Sequence, residues 1–373
     1  MGFSSVGAWD NDPLAVEHYR QNVSPNVEKV DLARELPRSL RRQSPALLIA
    51  GPPCQGFSTA GLRNLEDERN YLLPLAGDVC ARVRPLVAVV ENVAAALSGE
   101  HARHWRSLEG RLRDAGYRTN TCRVEALNLG MAQRRKRIFL FAWKTGRDTQ
   151  FAWPKLPQDR LDHVLFGVER QPNHHPRPIP VGTRLYCIAQ RIGPGQKLSN
   201  VRGGPRSVHS WNIPAVFGKT TAAECAVLEI MMRLRRSERR RDFGDADPVS
   251  PKRLDQELKK NTDRLVTSLI RKGYLRRIGK YLDLVHTFNG KCRRFSWEDV
   301  ACAVDTRFGD PHLFLHPNEH RPFTVREAAR LQGFPDSFIF HGPEAGQFRL
   351  IGNAVPPPMA QAAAAIGTRL AGL

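Results

Sequence analysis

Between Met1 and Trp143 short apolar runs alternate with stretches of helical period, and no other feature narrows the possible folds as much. The alternation is the sequence form of βαβ units, whose strands gather into an open parallel sheet covered by helices. The runs are Ser5 to Trp9, Ala46 to Ala50, Leu86 to Val90 and Ile138 to Trp143. Pro13 opens the first helix, where its fixed φ and missing N–H are harmless, and that helix runs towards Asn22. The residues just after the runs carry the functional information: Asp10-Asn11-Asp12, then Gly51-Pro52-Pro53-Cys54, then Glu91-Asn92-Val93. Open α/β sheets bind their ligands at the C-terminal ends of the strands. The expectation is an α/β, Rossmann-like sheet domain with a site assembled from those turns.

The alternation fades near residue 150. Prolines cluster between Pro154 and Pro180, so the sequence predicts a first domain over 1–150, a second over 151–300, and a return to the first over 301–373. Within the second, 220–286 reads as three helices and a hairpin, the outline of a winged helix. Val227, Met231 and Leu234 share one helical face, Ser250-Pro251 starts a short helix, and Leu265, Val266, Leu269 and Ile270 line a third that Gly273 ends. Two strand-like runs, Tyr274 to Ile278 and Tyr281 to Val285, flank Gly279-Lys280.

The 373 residues carry 57 Lys+Arg against 37 Asp+Glu, a formal net charge of +20. A field of that size favours a polyanionic partner, of which nucleic acid is the commonest. The seven cysteines are scattered and never spaced C-x-x-C, which argues against a disulfide framework and against a zinc site. No apolar run approaches the roughly 18 residues of a membrane span, and no signal-peptide profile stands at Met1. A soluble, cytoplasmic protein that meets nucleic acid is expected.

Cys54 is the first candidate for chemistry. A strand running into a Gly-Pro-Pro turn delivers the thiol to a loop near backbone N–H groups, conditions that lower a thiol pKa from about 8.5 and raise the thiolate fraction. An inert small hydrophobe is the plain alternative for any single cysteine. A zinc deaminase site fails on its ligands, since Phe57 stands three residues after Cys54 and no His-x-Glu precedes it. Glu91 follows a wholly apolar strand, where partial burial raises a carboxyl pKa and suits a general acid. A surface carboxylate or a helix cap is its plain alternative. Arg135 and Arg137 alternate ahead of a buried strand and so share one face, with Arg134 and Lys136 on the other. A solvated charge run explains that pattern equally well.

In order along the chain stand Gly51-Pro52-Pro53-Cys54-Gln55-Gly56-Phe57-Ser58, Glu91-Asn92-Val93, Gln133-Arg134-Arg135-Lys136-Arg137, the block from Arg321-Pro322-Phe323-Thr324 to Gln332-Gly333-Phe334-Pro335, and Gly352-Asn353-Ala354-Val355-Pro356. Together they resemble the ordered motifs of the DNA cytosine-C5 methyltransferases of bacterial type, over roughly residues 1–145 and 297–373. The segment between lies where that family keeps its variable target-recognition domain.

The resemblance implies an S-adenosylmethionine-dependent enzyme that methylates C5 of a cytosine flipped out of double-stranded DNA. It implies Cys54 as nucleophile at C6, Glu91 as the acid at N3, and Arg137, supported by Arg135, at the cytosine O2. Asp10 is then expected at the cofactor ribose, Asn11 by the adenine, Asp31 near the adenine amine and Asn353 near the methionine end, with Pro53 also among the cofactor contacts. Gln55 and Ser58 belong to the loop that closes over the flipped base. DNA contacts are expected from Lys259, Arg264, Arg271, Arg276, Arg277 and Lys280 in the winged-helix segment. The tract from Asn200 to Arg206 adds uncovered backbone between two arginines, its glycines allowing close approach. A monomer without metal or membrane, with a cognate restriction endonuclease as genetic partner, completes the expectation. The family's opening strand and Phe-x-Gly-x-Gly turn, which cradle the methionine portion, have no counterpart, and the first recognisable block is Gly7 to Asp12. Two other readings therefore stay open at this point: a DNA-binding relative without catalysis, and an enzyme directed at transfer RNA.

Overall fold

The computed structural model describes residues 4–41, 44–53, 68–144, 152–237 and 247–373. They divide into two units, one of Met1–His174, Val300–Arg307 and Val325–Leu373, the other of His175–Asp299 and Phe308–Thr324.

In the first unit β1 (Ala8–Asp10) leads through Asp12 into α1 (Pro13–Asn22). Asp12 Oδ1 accepts the Leu14 N–H at 3.0 Å, satisfying one of the donors that a helix start leaves open. β2 (Val27–Lys29) lies parallel to β1, and the two form a sheet of their own. After them come β3 (Leu47–Ala50), α2 (Leu72–Val83), β4 (Val87–Val93), α3 (Ala102–Asp114), β5 (Arg118–Glu125) and β6 (Lys136–Trp143). The larger sheet has the order β3-β4-β6-β5. β3 and β4 are parallel, whereas β6 runs antiparallel to both β4 and β5. The sheet is therefore mixed, a correction to the parallel sheet that the alternation predicts. Its physical source is β5, a largely polar, half-exposed edge strand that carries no apolar run to mark it. At the opposite edge β3 pairs only with β4 among the described residues, and Ile49 in it is 59% exposed.

In the second unit β7 (Lys197–Ser199) is the middle of a three-stranded sheet. Its neighbours are β8 (Ser207–Val208) and a later strand, Asn289–Lys291. Three helices follow, α4 (Ala222–Ser237), α5 (Pro251–Leu258) and α6 (Asp263–Arg271), and then an antiparallel pair, β9 (Leu275–Ile278) and β10 (Tyr281–Leu284). Val249, between α4 and α5, bridges Leu282 of β10 in antiparallel fashion. The helices bury Val227, Leu228 and Met231 of α4, Leu254 of α5, and Val266 and Leu269 of α6 against Leu275 and Leu282. Spacings of three and four residues place these side chains on single helical faces.

The chain returns to the first unit with α7 (Val325–Gln332), α8 (Glu344–Asn353) and α9 (Pro357–Ala371). α9 supplies Met359, Ala363, Ile366 and Leu370 to the face of the sheet that carries Val87, Val89, Phe139 and Phe141. The alternate residues Ala88, Val90, Ile138 and Leu140 pack on Leu73, Trp105 and Leu108 of α2 and α3. Cover on both faces explains why β4 and β6 read as continuous apolar runs. The unit boundary falls after His174, not near residue 150. Arg330 of α7 donates to the Phe166 carbonyl at 2.7 Å and the Arg326 N–H to the Asn173 carbonyl at 3.1 Å, which binds 161–174 to α7. Likewise 308–324 leaves the first unit, because Arg293–Arg294 pairs with Phe314–Leu315 and the Cys292 N–H bonds the His312 carbonyl at 2.9 Å.

Candidate active site

Glu91 is the fifth residue of β4 rather than the residue after it. Strand side chains alternate, so Glu91 continues the face of Val87 and Val89, where it is 9% exposed. The residue opposite on β6 is Phe139, and Val93 stands opposite Arg137, which makes Arg137 the diagonal neighbour of Glu91. Arg137 Nε donates to Glu91 Oε1 at 2.6 Å while its Nη1 donates to the Lys136 carbonyl at 2.9 Å. Burial pushes the Glu91 carboxyl above the usual carboxylate range, against the opposing pull of Arg137 and then of Arg135. A carboxyl biased towards its protonated form beside a fixed guanidinium can protonate one acceptor while the guanidinium stabilises charge on the next. The turn after β3 approaches the pair. A Cβ added to Gly51 would stand 3.9 Å from Glu91 Oε2, and the buried Asn92 donates from Nδ2 to the Pro52 carbonyl at 3.2 Å. Pro53 is the last described residue of that turn; Cys54, Gln55 and Ser58 lie outside the described residues.

Arg135 stands between the Gln133–Arg134 strand and β6 and acts on different partners from Arg137. At 3% exposure, it donates to the carbonyls of Val304 at 2.8 Å, Gly352 at 2.8 Å and Ala354 at 3.1 Å. Gln332 Nε2 grips the same segment through the Ile351 carbonyl at 3.0 Å and the Ala354 carbonyl at 2.8 Å, and Gln133 Nε2 donates to Gln332 Oε1 at 2.8 Å. The chain on either side of Asn353 is thus fixed, and Gly352 is required there, because a Cβ would stand 2.4 Å from the Thr306 nitrogen. The sequence points to Arg135 only as part of a basic run; its partners lie 217 and 219 residues away and leave no local signal. Gln332, a buried amide within the quoted motif block, is the legible half of this network.

The other nominated residues sit at the ends of β1 and β2. The Val30 N–H bonds the Asp10 carbonyl at 2.9 Å, which ties Asp10 to the turn that holds Asp31. Asp10 Oδ1 accepts the Asp12 N–H at 2.8 Å; Asp31 Oδ1 accepts the Ala33 N–H at 3.1 Å. Asn11 is exposed between Asp10 and Asp12, and Asn353 is exposed at the end of α8. Two carboxylates at the C-terminal ends of adjacent parallel strands are the acceptors that ribose hydroxyls and an exocyclic amine need, so the donor set fits a nucleoside. One partner was missed: Arg349 of α8 ion-pairs with Asp12 and holds its carboxyl below the usual range. Among the described residues no group of three His, Cys, Asp or Glu could hold a metal ion, and no helix is long and apolar enough to cross a membrane.

The C-5 cytosine-specific DNA methylase family model matches residues 1–201 and 209–367. The chain belongs to that family. It is 28% identical over 413 residues to the Type II methyltransferase M.HgiBI of Herpetosiphon aurantiacus, across 96% of this chain and 90% of that protein. With the Type II methyltransferase M.AgeI of Thalassovita gelatinovora the identity is 25% over 434 residues, across 97% and 94%. Two solved structures share the fold. The S. pombe Dnmt2 methyltransferase superposes with a TM-score of 0.52 at 15% identity over 98% of this chain and 91% of that one. The Entamoeba histolytica methyltransferase EhMeth gives 0.53 at 12% identity over 97% and 89%. As a C-5 cytosine-specific DNA methylase, the protein transfers a methyl group from S-adenosylmethionine to C5 of cytosine in DNA.

The six cations that the sequence nominates in the methylase's second unit are all exposed, yet they are not equivalent. Arg264 and Arg271 lie on α6, Lys259 ends α5 with a φ of +52°, and Arg277 and Lys280 lie on β9 and in the turn after it. Arg276 pairs with Asp283 at 3.0 Å, a carboxylate that Arg235 also contacts at 2.6 Å. Its charge is compensated before any DNA arrives.

Proposed function

We propose that the methylase acts through Cys54, Glu91 and Arg137; the observation that carries this reading is the buried Glu91–Arg137 pair with the Gly51–Pro53 turn against it. Cytosine presents N3 and O2 as neighbouring acceptors on one edge. Protonated Glu91 gives its proton to N3 while Arg137 donates to O2, and both draw electrons out of the ring. The Cys54 thiolate adds to C6, and the C5=C6 electron pair becomes an enamine with C5 as its nucleophilic carbon. S-adenosylmethionine, for which Asp10, Asn11, Asp31, Pro53 and Asn353 are the holding residues, supplies the electrophilic methyl group when bound. Once C5 carries the methyl group, water takes the C5 proton, the C5–H electron pair re-forms C5=C6 as the Cys54 thiolate leaves C6, and N3 returns its proton to Glu91, which restores aromaticity. Arg135 is a positioning residue here, and Gln55 and Ser58 belong to the loop over the flipped base. The test is transfer of tritiated methyl groups from S-adenosylmethionine to duplex DNA. Wild type is expected to label DNA and Cys54→Ala to abolish labelling; retained labelling refutes the nucleophile.

In the second unit, α4, the Val249 contact, α5, α6, β9 and β10 run in the order of a winged helix, and the Val249–Leu282 bridge supports that reading. α6 is then the DNA-facing helix, with Arg264 and Arg271, while Lys259, Arg277 and Lys280 reach phosphates and Arg276 contributes least. The proposal is completed by a monomer acting on double-stranded DNA in the bacterial cytoplasm beside a cognate restriction endonuclease, in keeping with the Type II names of the bacterial relatives.

A further inference from the structure

The loop between β7 and β8 gathers a cluster of cations outside the site. Its base is fixed. The buried Asn200 donates from Nδ2 to Ser210 Oγ at 2.8 Å and to the His286 carbonyl at 2.9 Å, and its Oδ1 accepts the Ser210 N–H at 3.0 Å. The Lys197 N–H closes the loop on the Arg206 carbonyl at 3.0 Å, and Gly204, at a φ of +115°, turns the chain between them. Onto this base project Arg202 and Arg206, with Lys197 on β7 and Arg293 beside it; a Cβ added to Gly290 would stand 3.4 Å from Lys197 Cδ and 3.7 Å from Arg293 Nη2. None of the four cations has a carboxylate partner within 4.0 Å among the described residues. Burial lowers the Lys197 pKa, and the guanidiniums of Arg293, Arg202 and Arg206 push it the same way. Four like charges held together without a counter-charge favour an anion strongly.

Behind the loop lies a cavity of about 800 Å³, lined among others by Arg202, His209, Glu229, Arg233 and Arg236. Arg233 is compensated by Glu257 at 2.5 Å, whereas Arg202 and Arg236 have no such partner among the described residues. His209 Nδ1 donates to the Ser199 carbonyl at 2.5 Å and its ring stacks on Trp211 at 4.5 Å, so the imidazole is fixed with Nε2 as an acceptor. Glu229, Arg233 and Arg236 follow one another at four- and three-residue spacing along α4, so the wall offers a carboxylate acceptor beside guanidinium donors, with Arg202 of the loop adding another. A G·C pair alone presents two adjacent acceptors, guanine N7 and O6, next to a donor, the cytosine amino group.

We propose that the β7–β8 loop and the cavity behind it choose the DNA sequence: Lys197, Arg206 and Arg293 hold backbone phosphates, while Arg202, Arg236 and Glu229 read the edge of a G·C pair. The proposal rests on DNA being the methylase's substrate and goes beyond the winged helix by naming a second surface. The fixed loop base makes it cheap in entropy, because little is left to order on binding.

The test uses the full chain and measures binding, which needs no methyl transfer. Fluorescence anisotropy with duplex DNA across a salt series reads the phosphate contacts. The combined Lys197→Ala, Arg206→Ala and Arg293→Ala variant is expected to weaken binding to every sequence and to reduce the slope of log K against log salt by about 3, roughly one per cation. Selection from a randomised duplex pool reads the base contact. Arg236→Ala and Glu229→Gln are each expected to relax preference at one and the same G·C position by about fivefold or more, with the salt slope of Glu229→Gln unchanged. Thermal melts of these variants, at exposed residues apart from the half-buried Lys197 and Arg293, are expected within a few degrees of wild type and separate lost contacts from lost fold. An unchanged salt slope in the triple variant, or an unchanged preference in both single variants, overturns the proposal. Duplex binding by wild type without methyl labelling sinks the catalytic reading and leaves this one standing; labelling by wild type together with undiminished binding by the triple variant does the reverse.

Discussion

Arginine plays two roles in the methylase: the first unit holds clear examples of one, and the loop between β7 and β8 in the second unit holds the other, although buried Arg294 of that unit also donates to four carbonyls. In the first, Arg135 is surrounded by three carbonyls, Arg137 is paired with Glu91, and Arg326 donates to the carbonyls of Pro172 at 2.7 Å and Phe338 at 2.8 Å. In the second, Arg202, Arg206 and Arg293 sit together with Lys197 and no acid to compensate them among the described residues. A compensated guanidinium builds geometry, because its fork fixes several acceptors at once. An uncompensated one builds a field. Part of the +20 excess is gathered without compensation at Lys197, Arg202, Arg206 and Arg293.

The contrast can be broken experimentally, most sharply at Glu91. Glu91→Gln keeps an acceptor for Arg137 but removes the transferable proton, and methyl transfer is expected to fall about 100- to 10,000-fold with DNA binding retained, measured by single-turnover labelling beside anisotropy. A loss under tenfold would mean that Glu91 is structural. Arg135→Ala should instead act through stability. The buried carbonyls of Val304 and Gly352 lose this donor, at about 1–3 kcal/mol each, while Ala354 keeps Gln332, so urea unfolding should show a loss of about 2 kcal/mol or more. Arg135→Lys should recover only part of it, since a point-like ammonium cannot hold three acceptors in a fork. Activity that vanishes while the urea midpoint stays put would move Arg135 into the chemistry.

The raised pKa of Glu91 predicts a pH signature of intermediate size. The folded chain holds this proton more tightly than the unfolded chain does. Stability contributed by the protonated carboxyl is therefore present at low pH and falls as pH rises from the ordinary carboxylate range through the raised value. If the acid form is the active one, kcat/KM declines over the upper part of the same window, and Glu91→Gln removes that limb. Asp12 has the opposite sign, its stability contribution being present above the ordinary range and lost as pH falls through its lowered value. The smallest effect is expected from Arg276→Ala, whose charge Asp283 already compensates: the salt slope should change by clearly less than the change of about 1 expected for Arg277→Ala.

What the sequence made legible follows the range of the interactions. β4 and β6 are visible as apolar runs because both faces are buried, and Glu91 stands out because it interrupts one of them. Strand period predicts one face for Arg135 and Arg137, but Arg135 stands just ahead of β6 and is held by its three carbonyl partners instead. β5 was invisible for the converse reason, since its stability comes from the backbone ladder to β6 and not from an apolar pattern. The grip of Arg135 and Gln332 on Ala354, the ion pair of Arg349 with Asp12 and the anchoring of the β7–β8 loop by Asn200 all join residues far apart in sequence or buried in a polar network. Spacing carries no information about such contacts. The domain boundary moved for the same reason, because 161–174 is claimed by α7 through Arg330 and Arg326.

The clamp of Arg135 on the Ala354 carbonyl also has a consequence in time. Its two ends are separated by 219 residues, so at roughly 5–20 residues per second a ribosome needs on the order of 10 to 45 s to make the second after the first. Throughout that interval β4 and β6 can pair, but α9, which covers one face of their sheet, has not yet been made. The second unit is complete in sequence by Thr324, before α7, α8 and α9 emerge. On a translating ribosome, the surface proposed to read DNA is therefore synthesised ahead of the Ala354 end of the Arg135 clamp.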